Sequence, residues 1–114
     1  MHFQVRTDNH IENSQDLAAR IQAEVEGSLD RFTDRIRRVE VYLQDMNSHK
    51  GGVDIRCAIE VSLAGHQPVA VDATASDVDD AVTSAVDKLV RALDHTLGRL
   101  EDGQGRVSMS GQET

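Results

Sequence analysis

The spacing of apolar residues changes character once in the first half of this chain, and that change limits the possible folds more than any other feature. From Leu17 onward the apolar positions are Leu17, Ala18, Ile21, Val25, Leu29, Phe32 and Ile36, in steps mostly of three and four. Steps of that size line one side of a helix, so they predict an amphipathic helix of about five turns. Gly27 falls inside it and weakens it by roughly 1 kcal/mol relative to alanine. At "RRVEVYLQD" the step becomes two. Val39, Val41 and Leu43 share one face, and Arg38, Glu40, Tyr42 and Gln44 take the other. This is the pattern of a strand with one buried and one wet face.

The remaining segments sort by the same two periods. "HFQVR" alternates through Phe3 and Val5 and reads as a short first strand. The polar "TDNHIENS" that follows offers Asn13 or Ser14 as a helix cap. Ile55, Cys57, Ile59, Val61 and Leu63 form a third strand, "AGHQP" a turn, and Val69, Val71 and Ala73 a fourth strand. Pro68 lacks an amide donor and so suits a strand start or a sheet edge. "SDVDDA" opens a last helix with Ser76 as its expected cap. Its apolar stripe is Val78, Val82, Val86, Leu89, Leu93, Leu97 and Leu100, and it should stop near Gly103. The order β-α-β-β-β-α predicts an α+β fold, a four-stranded mixed sheet with two nearly parallel helices on one face. Residues 1–102 read as a single domain, and 103–114, polar, glycine-rich and without period, as a disordered tail.

Composition narrows the function. Aromatic residues are 3% of the 114, so aliphatic side chains must build the core. The single cysteine, Cys57, permits no internal disulfide and suits a reducing, cytoplasmic setting. No N-terminal apolar leader and no run of about 18 apolar residues is present, so no membrane association is expected. The five histidines have no metal-ligand spacing, and no nucleophile, Walker or dinucleotide signature occurs. The expectation is a protein that is not an enzyme and uses no metal, cofactor or small-molecule substrate. The net charge of −8 repels nucleic acid on average, so phosphate binding would need cations gathered on one surface.

Such a gathering occurs on the last helix. Lys88, Arg91, His95 and Arg99 recur at three, four and four, which stacks them about 130° around from the apolar stripe. Asp80, Asp87 and Asp94 form a separate stripe beside them, with Asp87 and Arg91 in position for an i,i+4 pair. On the first helix Arg20, Arg31 and Arg35 align, interrupted by Glu24. Both rows lie on the same rotational side of parallel helices. Only one can therefore face the groove between them, and the other must sit higher or outside. In "NSHKGG" the glycines suit the bend of a hairpin, and Lys50 at its tip is a further candidate phosphate contact. A solvated, ion-paired helix face is the alternative reading of the cation rows.

The element order, together with "RTDNHIENSQDLAARI", "RVEVYLQDMNSHKGG", "RCAIEVSLAGHQPVAV" and the terminal "VDKLVRALDHTLGRL", resembles the short form of the ribosome hibernation-promoting factor / ribosome-associated translation inhibitor family, also called sigma-54 modulation proteins. The likeness covers residues 1 to about 102. It implies a partner, the small ribosomal subunit and its rRNA. It also implies an activity, inhibition of translation by occupying the path of tRNA and mRNA. Carried over, the contacting side chains are Lys88, Arg91 and His95, with Arg99 extending the row. Where family members carry lysines in the first helix, this chain reads "EVEGSLDRF". A C-terminal dimerisation domain, present in long members, is not expected. The sequence leaves two other readings open: a protein-interaction module on the same fold without rRNA affinity, and a generic duplex-RNA binder.

Overall fold

A computed structural model describes residues 1–8, 11–12, 14–46 and 54–105, with side chains through Gly98. The elements are β1 (His2–Thr7), α1 (Gln15–Ser28), a 3-10 helix (Asp30–Arg35), β2 (Ile36–Asp45), β3 (Ile55–Leu63), β4 (His66–Ala75) and α2 (Val78–Gly105). They form one four-stranded sheet in the order β1-β2-β3-β4, parallel between β1 and β2 and antiparallel elsewhere. The α+β fold and mixed sheet expected from the two periods are present.

Alternation in the strands decides which sheet face is covered. Val39, Val41 and Leu43 of β2 and Ile55, Cys57, Ile59, Val61 and Leu63 of β3 are buried, as predicted. Across the ladder Val39 pairs Val61, Val41 pairs Ile59 and Leu43 pairs Cys57, so the two central strands present one continuous apolar surface. Ile21 and Val25 of α1 and Val82, Leu89 and Leu93 of α2 close over it in a single core. Full burial of each such side chain is worth about 1.5–3 kcal/mol. Phe3, Val5, Val69 and Val71 on the two outer strands pack against its margin.

Four local features differ from the sequence expectation. The first helix ends at Ser28 and does not run on to Ile36. Gly27 and Ser28 are poor helix formers, and the chain must here turn back into β2. The Leu29 amide donates to both the Val25 and Glu26 carbonyls, at 3.0 and 3.2 Å, which tightens the last turn. The 3-10 helix then keeps a step of three, so Leu29 and Phe32 still point inward. This is why its apolar spacing resembles a continued α-helix. Second, α2 is capped by Asp77, not Ser76: the Asp80 amide donates to Asp77 Oδ1 at 2.8 Å. At α1, Ser14 does cap, accepting from the Leu17 amide.

Third, the β3–β4 turn is only Ala64–Gly65, and Gly65 adopts φ +74°, which a residue with a Cβ resists. Strand β4 therefore starts at His66. Gln67 and Pro68 bulge opposite Ser62, since Val61 pairs Val69 while Leu63 pairs His66. On this edge strand proline's missing amide removes no ladder bond. Fourth, α2 continues to Gly105, beyond Gly103. Residues 106–114, most of the segment expected to be a disordered tail, lie outside the described residues.

Candidate nucleic-acid interface

The helices meet the sheet through their apolar stripes, so their polar stripes face each other across a groove or turn outward. Contacts between the described residues cross the groove. Arg20 Nη1 lies 3.4 Å from Asp79 Oδ1. Thr83 Oγ1 donates to Glu24 Oε2 at 2.9 Å. Arg31, from the 3-10 helix, makes a fork to Asp94, with Nη1 to Oδ1 at 2.6 Å and Nη2 to Oδ2 at 2.8 Å. Residue numbers rise together along both partners, so the two helical segments run in the same direction, as predicted. The Arg31 guanidinium also lies over the Phe32 ring, 4.5 Å from its centroid. The Asp94 hydrogen bond pushes the Arg31 pKa above its ordinary value by stabilising the charged form.

The cations of α2 are elsewhere. Lys88 Nζ donates to the Asp72 backbone carbonyl at 2.9 Å, which places it on the flank over β4, away from α1. Arg91 and His95 are exposed on the same side of the helix. Arg91 pairs with Asp87 one turn earlier, the i,i+4 contact expected from spacing. The first row does not share one helix, since Arg31 and Arg35 lie on the 3-10 helix; Arg20 and Arg31 reach across the groove, and Lys88 lies outside it. Arg35, half-buried, lines a notch of about 210 Å³ with Arg31, Phe32, Asp94, Leu97 and Gly98. The Arg99 side chain and Lys50 lie outside the described residues.

The groove itself is acidic. Between Glu24 and Asp87 it is lined by Ser28, Thr83, Ser84, Val86 and Val90. Through Gly98 the helical layer carries nine carboxylates against five Lys and Arg side chains. Any attraction for an anion must therefore be local, and it depends on whether each cation's neighbour is charged. Lys88 rests on a neutral carbonyl and keeps its charge uncompensated by that contact. Arg20, Arg31 and Arg91 each sit against a carboxylate.

Sequence reasoning did not find the pairs that cross the groove, because they depend on the axial offset between two helices. The parallel direction together with the acid stripe on α2 was the available signal. The same reasoning placed a wet, polar sheet face opposite the helices, a surface open to a protein partner, but not the depression on it. There Arg6, Glu40, Tyr42, Arg56, Ala58, Glu60, Ala70 and Asp72 line a depression of about 380 Å³. Arg56 pairs with Asp72 at 3.0 Å, and Arg38, just beyond the rim, with Glu40 at 2.6 Å. Among the described residues no cluster of three His, Cys, Asp or Glu side chains could hold a metal ion. No helix there is long and apolar enough to cross a membrane.

The chain is an α+β domain with one sheet face covered by its helices and the other open to solvent. The family described as sigma 54 modulation protein / S30EA ribosomal protein matches residues 4–101, and the chain belongs to it. The fold is similar to that of the Thermus thermophilus Protein Y N-terminal domain, with 24% identity over 84% of this chain and 99% of that one, at a TM-score of 0.69. A ribosomal subunit interface protein from Coxiella burnetii is similar at 19% identity over 86% of this chain and 99% of that one, with a TM-score of 0.67. No curated protein matches the chain.

Proposed function

We propose that this protein is a cytoplasmic, ribosome-associated translation inhibitor, a hibernation factor that binds the small ribosomal subunit and occludes the path of tRNA and mRNA. Membership of the S30EA ribosomal protein family across residues 4–101 is the observation that carries this reading. It acts by occupancy and not by catalysis. Its affinity comes from contact between cations and the rRNA backbone, with release of counterions. The outer flank of α2 supplies the row of contacts, led by Lys88, with Arg91, His95 and Arg99 continuing it. Lys50, Arg20, Arg31 and Arg35 are secondary.

Cosedimentation with small ribosomal subunits at two salt concentrations tests it. Binding should weaken as salt rises, and the double variant Lys88→Glu/Arg91→Glu should lose it with the fold intact. Wild-type protein that stays at the top of the gradient at low salt would overturn the reading. The carboxylates beside Arg20, Arg31 and Arg91 favour a second reading, a protein-interaction module that has given up rRNA affinity. That reading predicts no ribosome association at either salt concentration.

A further inference from the structure

We infer that Asp79, Asp87 and Asp94 act as internal competitors of phosphate, holding Arg20, Arg91 and Arg31 in an occupied state that limits how strongly this protein grips a polyanion. The inference rests on the ribosome-associated reading above and adds the residues that set the strength of that site.

The geometry at Asp94 carries it furthest. An arginine fork that closes on a carboxylate through two parallel hydrogen bonds offers the same two donors to a phosphate. In this molecule the fork of Arg31 is already closed, with both oxygens of Asp94 taken at 2.6 and 2.8 Å. Stacking over Phe32 holds the guanidinium plane in place at 4.5 Å. A phosphate that engaged Arg31 would have to displace Asp94 and then sit beside the carboxylate it had displaced. Arg20 with Asp79, and Arg91 with Asp87, repeat the arrangement with single contacts.

All three carboxylates belong to α2, yet their arginines come from three different segments: α1, the 3-10 helix and α2 itself. One helix therefore supplies the carboxylates for three of the five described Lys and Arg side chains of the layer. The exception on the same helix is Lys88, whose acceptor is the uncharged Asp72 carbonyl. The arrangement predicts weak, readily reversed binding that is led by Lys88, with the arginines in reserve.

The experiment compares wild type with Asp94→Asn and Asp79→Asn/Asp94→Asn in two assays, cosedimentation with small ribosomal subunits and elution from immobilised heparin in a salt gradient. An amide keeps the shape of the side chain and removes its charge. Each freed arginine should tighten binding by roughly two- to five-fold. It should also steepen the dependence of log affinity on log salt by about 1. Glu60→Gln, on the opposite sheet face, removes one charge without freeing any of these arginines, and should change binding less than Asp94→Asn. Arg31→Gln combined with Asp94→Asn should return binding to the wild-type level, since the gain comes from Arg31.

A gain no larger than that of Glu60→Gln, or one that survives Arg31→Gln, would overturn the inference. The two readings fail separately. If neither wild type nor variants join ribosomes while the Asp variants elute from heparin at higher salt, the competitor role stands and the ribosomal target is wrong. If heparin elution is also unchanged, the competitor role is wrong.

Discussion

The two sides of α2 carry similar residues, and they differ most at Lys88. Facing α1, Asp79, Thr83 and Asp94 reach across a groove to Arg20, Glu24 and Arg31, and the polar groups satisfy one another. Facing outward over β4, Lys88 rests on a backbone carbonyl; of its neighbours on that side, Arg91 pairs with Asp87 of its own helix and His95 is exposed. Counting cations along a helix therefore does not give the local charge that an anion would meet. What matters is the charge of the group each cation already touches. A carboxylate partner nearly cancels the field a few ångströms away, whereas a carbonyl leaves most of it in place.

Reversing the outer flank is the strongest way to break this contrast. Lys88→Glu/Arg91→Glu should weaken binding to small ribosomal subunits by roughly ten-fold or more, and should flatten its salt dependence. Sedimentation at two salt concentrations reads both. The same number of cations removed from the groove, as Arg20→Gln/Arg31→Gln, should change binding by no more than about two-fold, because those charges are already compensated. Equal losses from the two double variants would erase the distinction between the flanks.

Both comparisons require folded variants, and Cys57 supplies a gauge. It is fully buried in β3, and loss of hydration pushes its thiol pKa up to about 12. Iodoacetamide at pH 8 should therefore label it only through unfolding, at similarly slow rates in wild type and both double variants. Fast labelling of one variant would assign its binding loss to unfolding. The same burial carries a pH dependence. The folded thiol stays neutral where an unfolded one ionises, so its contribution to stability is complete below about pH 9. That contribution should decline as pH rises toward 12, and a denaturation series should show Cys57→Ala lacking this part of the loss. The smallest expected effect is at Gly27, where an added Cβ meets nothing within 4 Å. Gly27→Ala should raise stability by about 0.5–1 kcal/mol in urea denaturation. Binding should not change, because stiffening α1 leaves the outer flank as it was.

Much of the fold was legible because burial imposes period. Val39, Val41 and Leu43, or Val82, Leu89 and Leu93, can all reach one core only as a strand and as a helix respectively. What was misread lay where two geometries share a spacing. Leu29 and Phe32 are three apart in either kind of helix, so the break after Ser28 left no apolar trace. Ser76 and Asp77 are both good caps, and the choice fell to whichever residue lets Ala81 and Val82 enter the core. The candidate site was legible in part. Spacing placed Lys88, Arg91 and His95 on one side of α2 and matched Arg91 to Asp87, since an i,i+4 pair depends on nothing outside its own helix.

Local order along the chain was enough to specify the strand and helix types, their sequence, the covered sheet face and the direction of the helices. These follow from the pitch of each element and the exclusion of apolar groups from water. Which arginine meets which aspartate was settled by packing. The axial offset of α1 against α2 is fixed by how both elements pack into one core, and a shift of one turn, about 5.4 Å, would re-pair every rung. Short-range electrostatics falls off over a few ångströms, so the charge state of this surface depends on a distance that no single element contains.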